Sequence, residues 1–210
     1  MINELPIEIN LDIKIDEFVN FYLKIIDRRL NHLGTHSINT SICADLLAKR
    51  LGFKPSTLKL LKYGSLLHDI GKLSLPTEIL NSSRSLSLEE FEIIKTHPVS
   101  GYEILNNFIT IPKDIKTLAF KHHYRNGFGY PKQIIYENGI DPILVDILTV
   151  ADSFSAIMEP RVYKETVSGE KAYEIMSDET NDRNKGLNLD VMANLKYLID
   201  NKKINLEKFF

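Results

Sequence analysis

His68-Asp69-Ile70-Gly71-Lys72 follows a strongly apolar run, Leu58 to Leu67, and is itself followed by Pro76. Pro55-Ser56 opens that run as a helix. A histidine and an aspartate side by side at the end of a buried helix need a partner. An ionised carboxylate is costly to bury unless it is paired or coordinates a cation. A metal ion satisfies both side chains at once. The question for the rest of the chain is which residues complete such a site.

Outward from this stretch the spacing is helical almost throughout. Residues from Ile15 to about Leu33 place Phe18, Phe21, Tyr22, Ile25, Ile26 and Leu30 on one broad face, and Gly34 interrupts them. A second helix is expected over about Thr35 to Leu51, with Ile38, Ile42, Leu46 and Leu47 as its apolar residues and Gly52 as its stop. Ser87 with Glu90 three residues on is a capping-box pattern, so a helix should start there and run to about Thr96. Pro98 marks a break with His97 standing at it, and Val99 to Leu105 resumes the spacing. A further helix spans about Pro112 to His123. Tyr124 to Gly139 then carries Asn126-Gly127, Gly129, Pro131 and Asn138-Gly139, the turn signals of one long loop. Ile140 to Met158 is almost wholly apolar, yet Asp146 and Asp152 sit in it, Asp152 among Val150, Ala151 and Phe154. Short helices over about Ser168 to Met176 and Leu189 to Ile199 complete the chain. No strand alternation of any length appears, so the fold class is all-α.

The totals fit a soluble globular protein: 210 residues, 43% hydrophobic, 26% charged, formal net charge −2. The charge does not suit a general nucleic-acid surface, so no nucleic-acid polymer is expected as partner. One cysteine, Cys43 among Ile42, Ala44 and Leu47, reads as a packed thiol and fits a reducing cytoplasm. Glu4, Glu8 and Asp12 do not make a signal peptide, and no apolar run approaches the ~20 residues of a membrane span.

Six histidines, His32, His36, His68, His97, His122 and His123, are the candidate ligands. Singly, each is more readily a hydrogen-bonded core residue. Together their spacing is suggestive. His32 and His36 are four apart, and His68-Asp69 and His122-His123 are adjacent pairs whose members point about 100° apart on a helix. Imidazole with carboxylate suits iron, manganese, zinc or nickel, and the lack of a thiolate cluster excludes a structural zinc finger.

In this order the motifs resemble the HD-GYP domain, the branch of the HD metal-dependent phosphohydrolases that hydrolyses cyclic di-GMP. The matching stretches are THSINTS with His36, HDIGK at 68–72, KTHPVSGYEIL with His97, HHYRNGFGYP at 122–131 and ADSFSAIMEPRVYK at 151–164. The resemblance covers roughly residues 30 to 175. It implies an HD-domain helical bundle with a long Gly-Tyr-Pro loop. Residues 1–30 would be an N-terminal arm and first helix, and 31–210 the HD-GYP domain. It also implies two divalent metal ions, iron or manganese: His36, His68 and Asp152 on one, His97, His122 and His123 on the other, Asp69 between them. Three-metal members carry a glutamate where this chain has His32, which puts a third ion in question and leaves His32 open as a ligand or a supporting group. The family's aspartate three residues beyond Asp152 is Ser155, its Arg-Pro-Tyr-Arg is Arg161-Val162-Tyr163-Lys164, and the segment before Gly-Tyr-Pro is one residue short.

The resemblance further implies a hydroxide shared by the ions attacking phosphorus in line, to give pGpG or GMP. By the same resemblance Asp69 and Lys72 would be the catalytic residues, Lys72 as cation or proton donor, and Tyr130, Arg161 and Lys164 would hold substrate phosphate. Tyr124 and Phe128 offer rings for a guanine or for the domain itself. A nucleotide phosphohydrolase of the wider HD group, and a weakly catalytic docking module meeting a diguanylate cyclase or sensor partner, remain the alternatives.

Overall fold

A computed structural model describes residues 14–30, 33–132, 139–159, 167–178 and 185–204. Among these the regular structure is entirely helical: α1 Ile15–Arg29, α2 Leu33–Arg50, α3 Pro55–Leu67, α4 Thr77–Leu80, α5 Leu88–Ile94, α6 His97–Asn106, α7 Lys113–Lys121, α8 Pro142–Met158, α9 Gly169–Ser177 and α10 Leu189–Asp200. Short 3-10 turns occupy Ile70–Ser74 and Arg125–Gly127. No described helix is long and apolar enough to cross a membrane.

Local chemistry sets the helix starts. Pro55 and Pro142 stand in first turns, where the missing N–H costs nothing. Ser87 Oγ accepts from the Glu90 N–H at 3.2 Å while Glu90 accepts from the Ser87 N–H at 2.9 Å, the expected capping box. Ser168 and Asn188 cap α9 and α10 with side-chain oxygens that accept first-turn N–H groups. Asp27 Oδ1 accepts from the Gly34 N–H at 3.0 Å, so Gly34 lies in the first turn of α2 rather than ending α1.

α2 runs through the middle, packed on α3 and α8, with α7 against α3 and α6 against both α7 and the 3-10 turn after Asp69. Two apolar clusters result. One joins α2, α8, α9 and α10, with Leu61 of α3 and Leu118 of α7, around Phe154, Leu47 and Leu148. The other joins α1, the end of α3 and α7 around Ile26, Leu67, Leu105 and Ile115. Full burial of each such side chain contributes roughly 1.5–3 kcal/mol. Cys43 is fully buried, and burial pushes its thiol up to about 12.

The apolar residues of α1 and α2 are not all turned inward. On α1 only Phe18, Val19, Tyr22, Ile26 and Leu30 are buried, whereas Phe21 is 64% exposed and Ile25 37%. The i, i+4 stripe that meets the bundle is narrower than the apolar sequence. On α2 the isoleucines Ile38 and Ile42 face outward at 43% and 38%, and the buried side carries His36, Ser37, Asn39, Thr40, Ser41, Cys43 and Ala44. Small and polar groups face inward there because α3 and α8 approach closely and because this side carries part of the candidate centre.

Candidate metal centre

Five helices end or pass at one buried point. His36 comes from α2, His68 and Asp69 from the end of α3, His97 from the first residue of α6, His122 and His123 from the end of α7, and Asp152 from α8. All but His123 are at most 6% exposed.

Three of the imidazoles are aimed by one device. His68, His97 and His122 each place Nδ1 2.7 Å from the carbonyl oxygen three residues back, of Ser65, Ile94 and Ala119. A carbonyl only accepts, so Nδ1 carries the hydrogen and Nε2 turns inward. Thr149 Oγ1 donates to the His122 carbonyl at 2.7 Å and fixes the end of α7 from α8. Two glycines permit the approach. A Cβ on Gly71 would stand 1.9 Å from the His97 carbonyl oxygen, and one on Gly129 1.7 Å from that of His123.

Asp69 sits among the inward nitrogens. Its Oδ1 is 3.2 Å from His97 Nε2 and 3.9 Å from His122 Nε2; its Oδ2 is 3.3 Å from His68 Nε2 and 3.9 Å from His36 Nε2. Lys72 Nζ donates to Oδ2 at 2.6 Å. Asp152 reaches further than one ligand set. Its Oδ1 is 3.0 Å from His36 Nε2 and 3.7 Å from His68 Nε2, while its Oδ2 is 3.7 Å from His123 Nδ1. Two ligand groups have donor atoms mutually within 4.8 Å: His36, His68 and Asp69, and His97, His122 and His123.

The donor set fits divalent cations. His97 Nε2 and His122 Nε2 face each other at 3.0 Å, two lone pairs in direct opposition. His68 Nε2 and Asp69 Oδ1 are buried without a hydrogen-bond partner. Such converging lone pairs repel unless a cation lies among them.

Burial alone would raise Asp69 and Asp152, but Lys72, His68 and His97 around the first, and His36, His68 and His123 around the second, hold both well below the usual carboxylate range. The two sides then differ toward protons. Burial disfavours charge on His36 and His68, yet Asp152, Glu159 and Asp69 outweigh it, and His68 is pushed to about 10. Burial and neighbouring imidazoles hold His122 well below its usual value, and His123 falls to about 3. Proton and cation compete for one lone pair. Metal affinity on the His36–His68 side should therefore rise with pH across the neutral range more steeply than on the His122–His123 side. Chelator competition at several pH values, read as metal per chain, checks this; equal and pH-independent affinities would contradict it.

Tyr130 stacks on this centre, its ring 4.7 Å from that of His123 and 6.2 Å from that of His97, with its N–H donating to the His123 carbonyl. The turn before it takes three left-handed residues in a row, Arg125, Asn126 and Gly127. Arg125 is rare in that conformation. It is held by donating to Ser153 Oγ at 2.9 Å, next to Asp152, and Asn126 donates to the Gly186 carbonyl. Phe128 is 67% exposed and Tyr124 42%, both at the surface. Arg161, Lys164 and His32 lie outside the described residues.

The sequence reading missed three groups. Glu159 Oε1 is 2.7 Å from His36 Nδ1; its place seven residues after Asp152, on the same helical face, was a usable signal. Thr149 carries no signal in sequence. The Tyr22 hydroxyl is buried near Asp69, and burial, then that charge, push it well above the usual phenol range.

The HD domain family matches residues 20–184. The chain is 35% identical over 127 residues to the cyclic di-GMP phosphodiesterase response regulator RpfG of Xanthomonas campestris, covering 58% of this chain and 32% of that protein. It is 31% identical over 161 residues to 3'3'-cGAMP-specific phosphodiesterase 2 of Vibrio cholerae, covering 75% and 30%. The chain spans about a third of the length of the curated relatives it matches. In fold it is similar to the HD domain of the L. monocytogenes phosphodiesterase PgpH solved in complex with cyclic-di-AMP, with a TM-score of 0.60 at 21% identity, covering 87% of this chain and 96% of that one.

Proposed function

The chain belongs to the HD domain family, and we propose on that footing that it is a metal-dependent phosphodiesterase of the HD-GYP branch, with cyclic di-GMP as substrate and pGpG or GMP as product. The observation that carries this reading is the convergence of His68, His97 and His122 Nε2, each aimed by its own Nδ1–H···O=C bond, around the Asp69 carboxylate. The two ligand groups flanking Asp69 support a pair of ions, and an all-nitrogen-and-oxygen donor set supports iron or manganese. The residues that would hold such ions are His36, His68, Asp69, His97, His122, His123 and Asp152, and the ions would supply Lewis acidity toward water and phosphoryl oxygens.

The protein's own groups do the rest. Hydrolysis adds water across one phosphodiester P–O bond and leaves an oxygen that needs a proton. Lys72 lies beside Asp69 with its side chain 21% exposed, so its ammonium reaches the rim where that oxygen departs. Tyr130, packed on His123, forms one wall for the sugar-phosphate. Arg161 and Lys164 are assigned to substrate phosphate on the strength of the resemblance. The exposed Phe128 offers a contact for a diguanylate cyclase or sensor partner.

The test is purification without oxygen, metal analysis, and turnover of cyclic di-GMP, 3'3'-cGAMP, cyclic di-AMP and mononucleotides side by side. The relatives named for 3'3'-cGAMP make that second substrate a specific rival. Lys72→Met should keep the metals and lose turnover about 10²-fold, as expected for a general acid. Two bound ions with no cyclic dinucleotide cleaved would overturn the enzymatic reading and favour the docking module.

A further inference from the structure

Glu159 closes α8, and nothing in the chemistry above uses it. It follows Asp152 by seven residues, nearly two full turns, so both carboxylates lie on one helical face. Both meet the same imidazole. Asp152 Oδ1 is 3.0 Å from His36 Nε2 and Glu159 Oε1 is 2.7 Å from His36 Nδ1. The Glu159 side chain is 14% exposed and that of His36 7%, so neither contact is a surface pair.

His68, His97 and His122 find their Nδ1 acceptor in a backbone carbonyl three residues back. His36 lies inside α2, where carbonyls serve the helical ladder. Its Nδ1–H therefore needs an acceptor from another element, and α8 brings a carboxylate. An ionised acceptor holds a donor more strongly than a carbonyl does and makes the imidazole a better ligand. Along the same face stands Ser155, buried, where the resembled family has an aspartate.

We infer that Glu159 is the positioning residue of His36: it fixes the Nδ1–H tautomer and aims Nε2 at Asp69 and Asp152, so that the ion on the His36–His68 side depends on it and the ion on the His97–His122–His123 side does not. The inference rests on the two-ion reading and deepens it by making the halves of the centre unequal in a way one distant residue controls.

The experiment compares the full chain with Glu159→Gln and Glu159→Met, purified without oxygen, in a chelator titration followed by metal analysis. Gln keeps an oxygen that accepts from Nδ1–H; Met has similar length and no such acceptor. In Glu159→Met one of two ions should leave at about 10- to 100-fold lower chelator concentration, with the second retained as in wild type. Glu159→Gln should hold both ions more nearly as wild type does. Equal loss in the two variants, loss of both ions together, or no loss in Glu159→Met would each overturn the positioning role while wild type still binds two. A wild-type chain that retains no metal would instead overturn the metal reading itself, and the role with it.

Discussion

Asp69→Asn is expected to lower turnover by about 10³-fold or more, about 4 kcal/mol on the barrier, and to cut bound metal below two ions per chain. The size follows from position. One carboxylate lies within 3.2–3.9 Å of four imidazole nitrogens and accepts from Lys72. Asparagine keeps the shape and removes the charge. It leaves Lys72 without its anion and presents an amide N–H toward nitrogens that need a cation. No other described carboxylate reaches both ligand groups as closely; Asp152 approaches His123 only at 3.7 Å. Metal analysis and steady-state turnover on the same preparation read both effects. Turnover within tenfold of wild type would show that Asp69 does not join the two halves.

Gly71→Ala should be strongly damaging although Gly71 is not a ligand. Gly71 has no left-handed φ, so its backbone suits any residue. The constraint is space alone. Its Cβ would meet the His97 carbonyl oxygen at 1.9 Å and the Gly101 nitrogen at 2.5 Å, both backbone atoms of α6 that cannot rotate aside. To reach ordinary contact, α6 must withdraw from the 3-10 turn by more than an ångström, taking His97 from Asp69. Overpacking of this kind costs about 1–3 kcal/mol and occasionally more, so Tm should fall by roughly 2–12 °C in a chain of this size. Bound metal should fall with it. Thermal unfolding and metal analysis check the pair, and a variant with wild-type Tm and full occupancy would show that the turn gives way more easily than its contacts imply.

Much of this was legible beforehand. Helix starts were readable because capping is local: Ser87 and Glu90, and Ser168, act within three residues of themselves. The candidate ligands were readable through the order of the motifs in the resemblance, and His36, His68, Asp69, His97, His122, His123 and Asp152 lie together at one buried point. What sequence hid is whatever depends on which way a helix is turned. On α2 the apolar residues Ile38 and Ile42 face outward, and the polar stripe through His36 and Thr40 is the inner one. A hydrophobicity argument inverts where a core is polar. The partner of Glu159 was hidden because it lies 123 residues away, although the spacing from Asp152 pointed to the residue itself. The two reaches of Asp152 were hidden because they arise from two oxygens of one residue facing different helices.

The centre also lies where the two apolar clusters meet. His36 and Asp152 come from elements of the α2–α8–α9–α10 cluster, and the α3 end, Ile70 and α7 belong to the other. Ions held at that junction act as a rivet between two halves of one fold. A ligand that binds only the native chain at a hundred times its Kd adds about 2.7 kcal/mol of stability. The persistence of this protein in a cell would then be set by metal supply as much as its rate is. Scarcity would thin out the protein as well as slow it, and the half-life of the chain under chelation measures how tightly the two are tied.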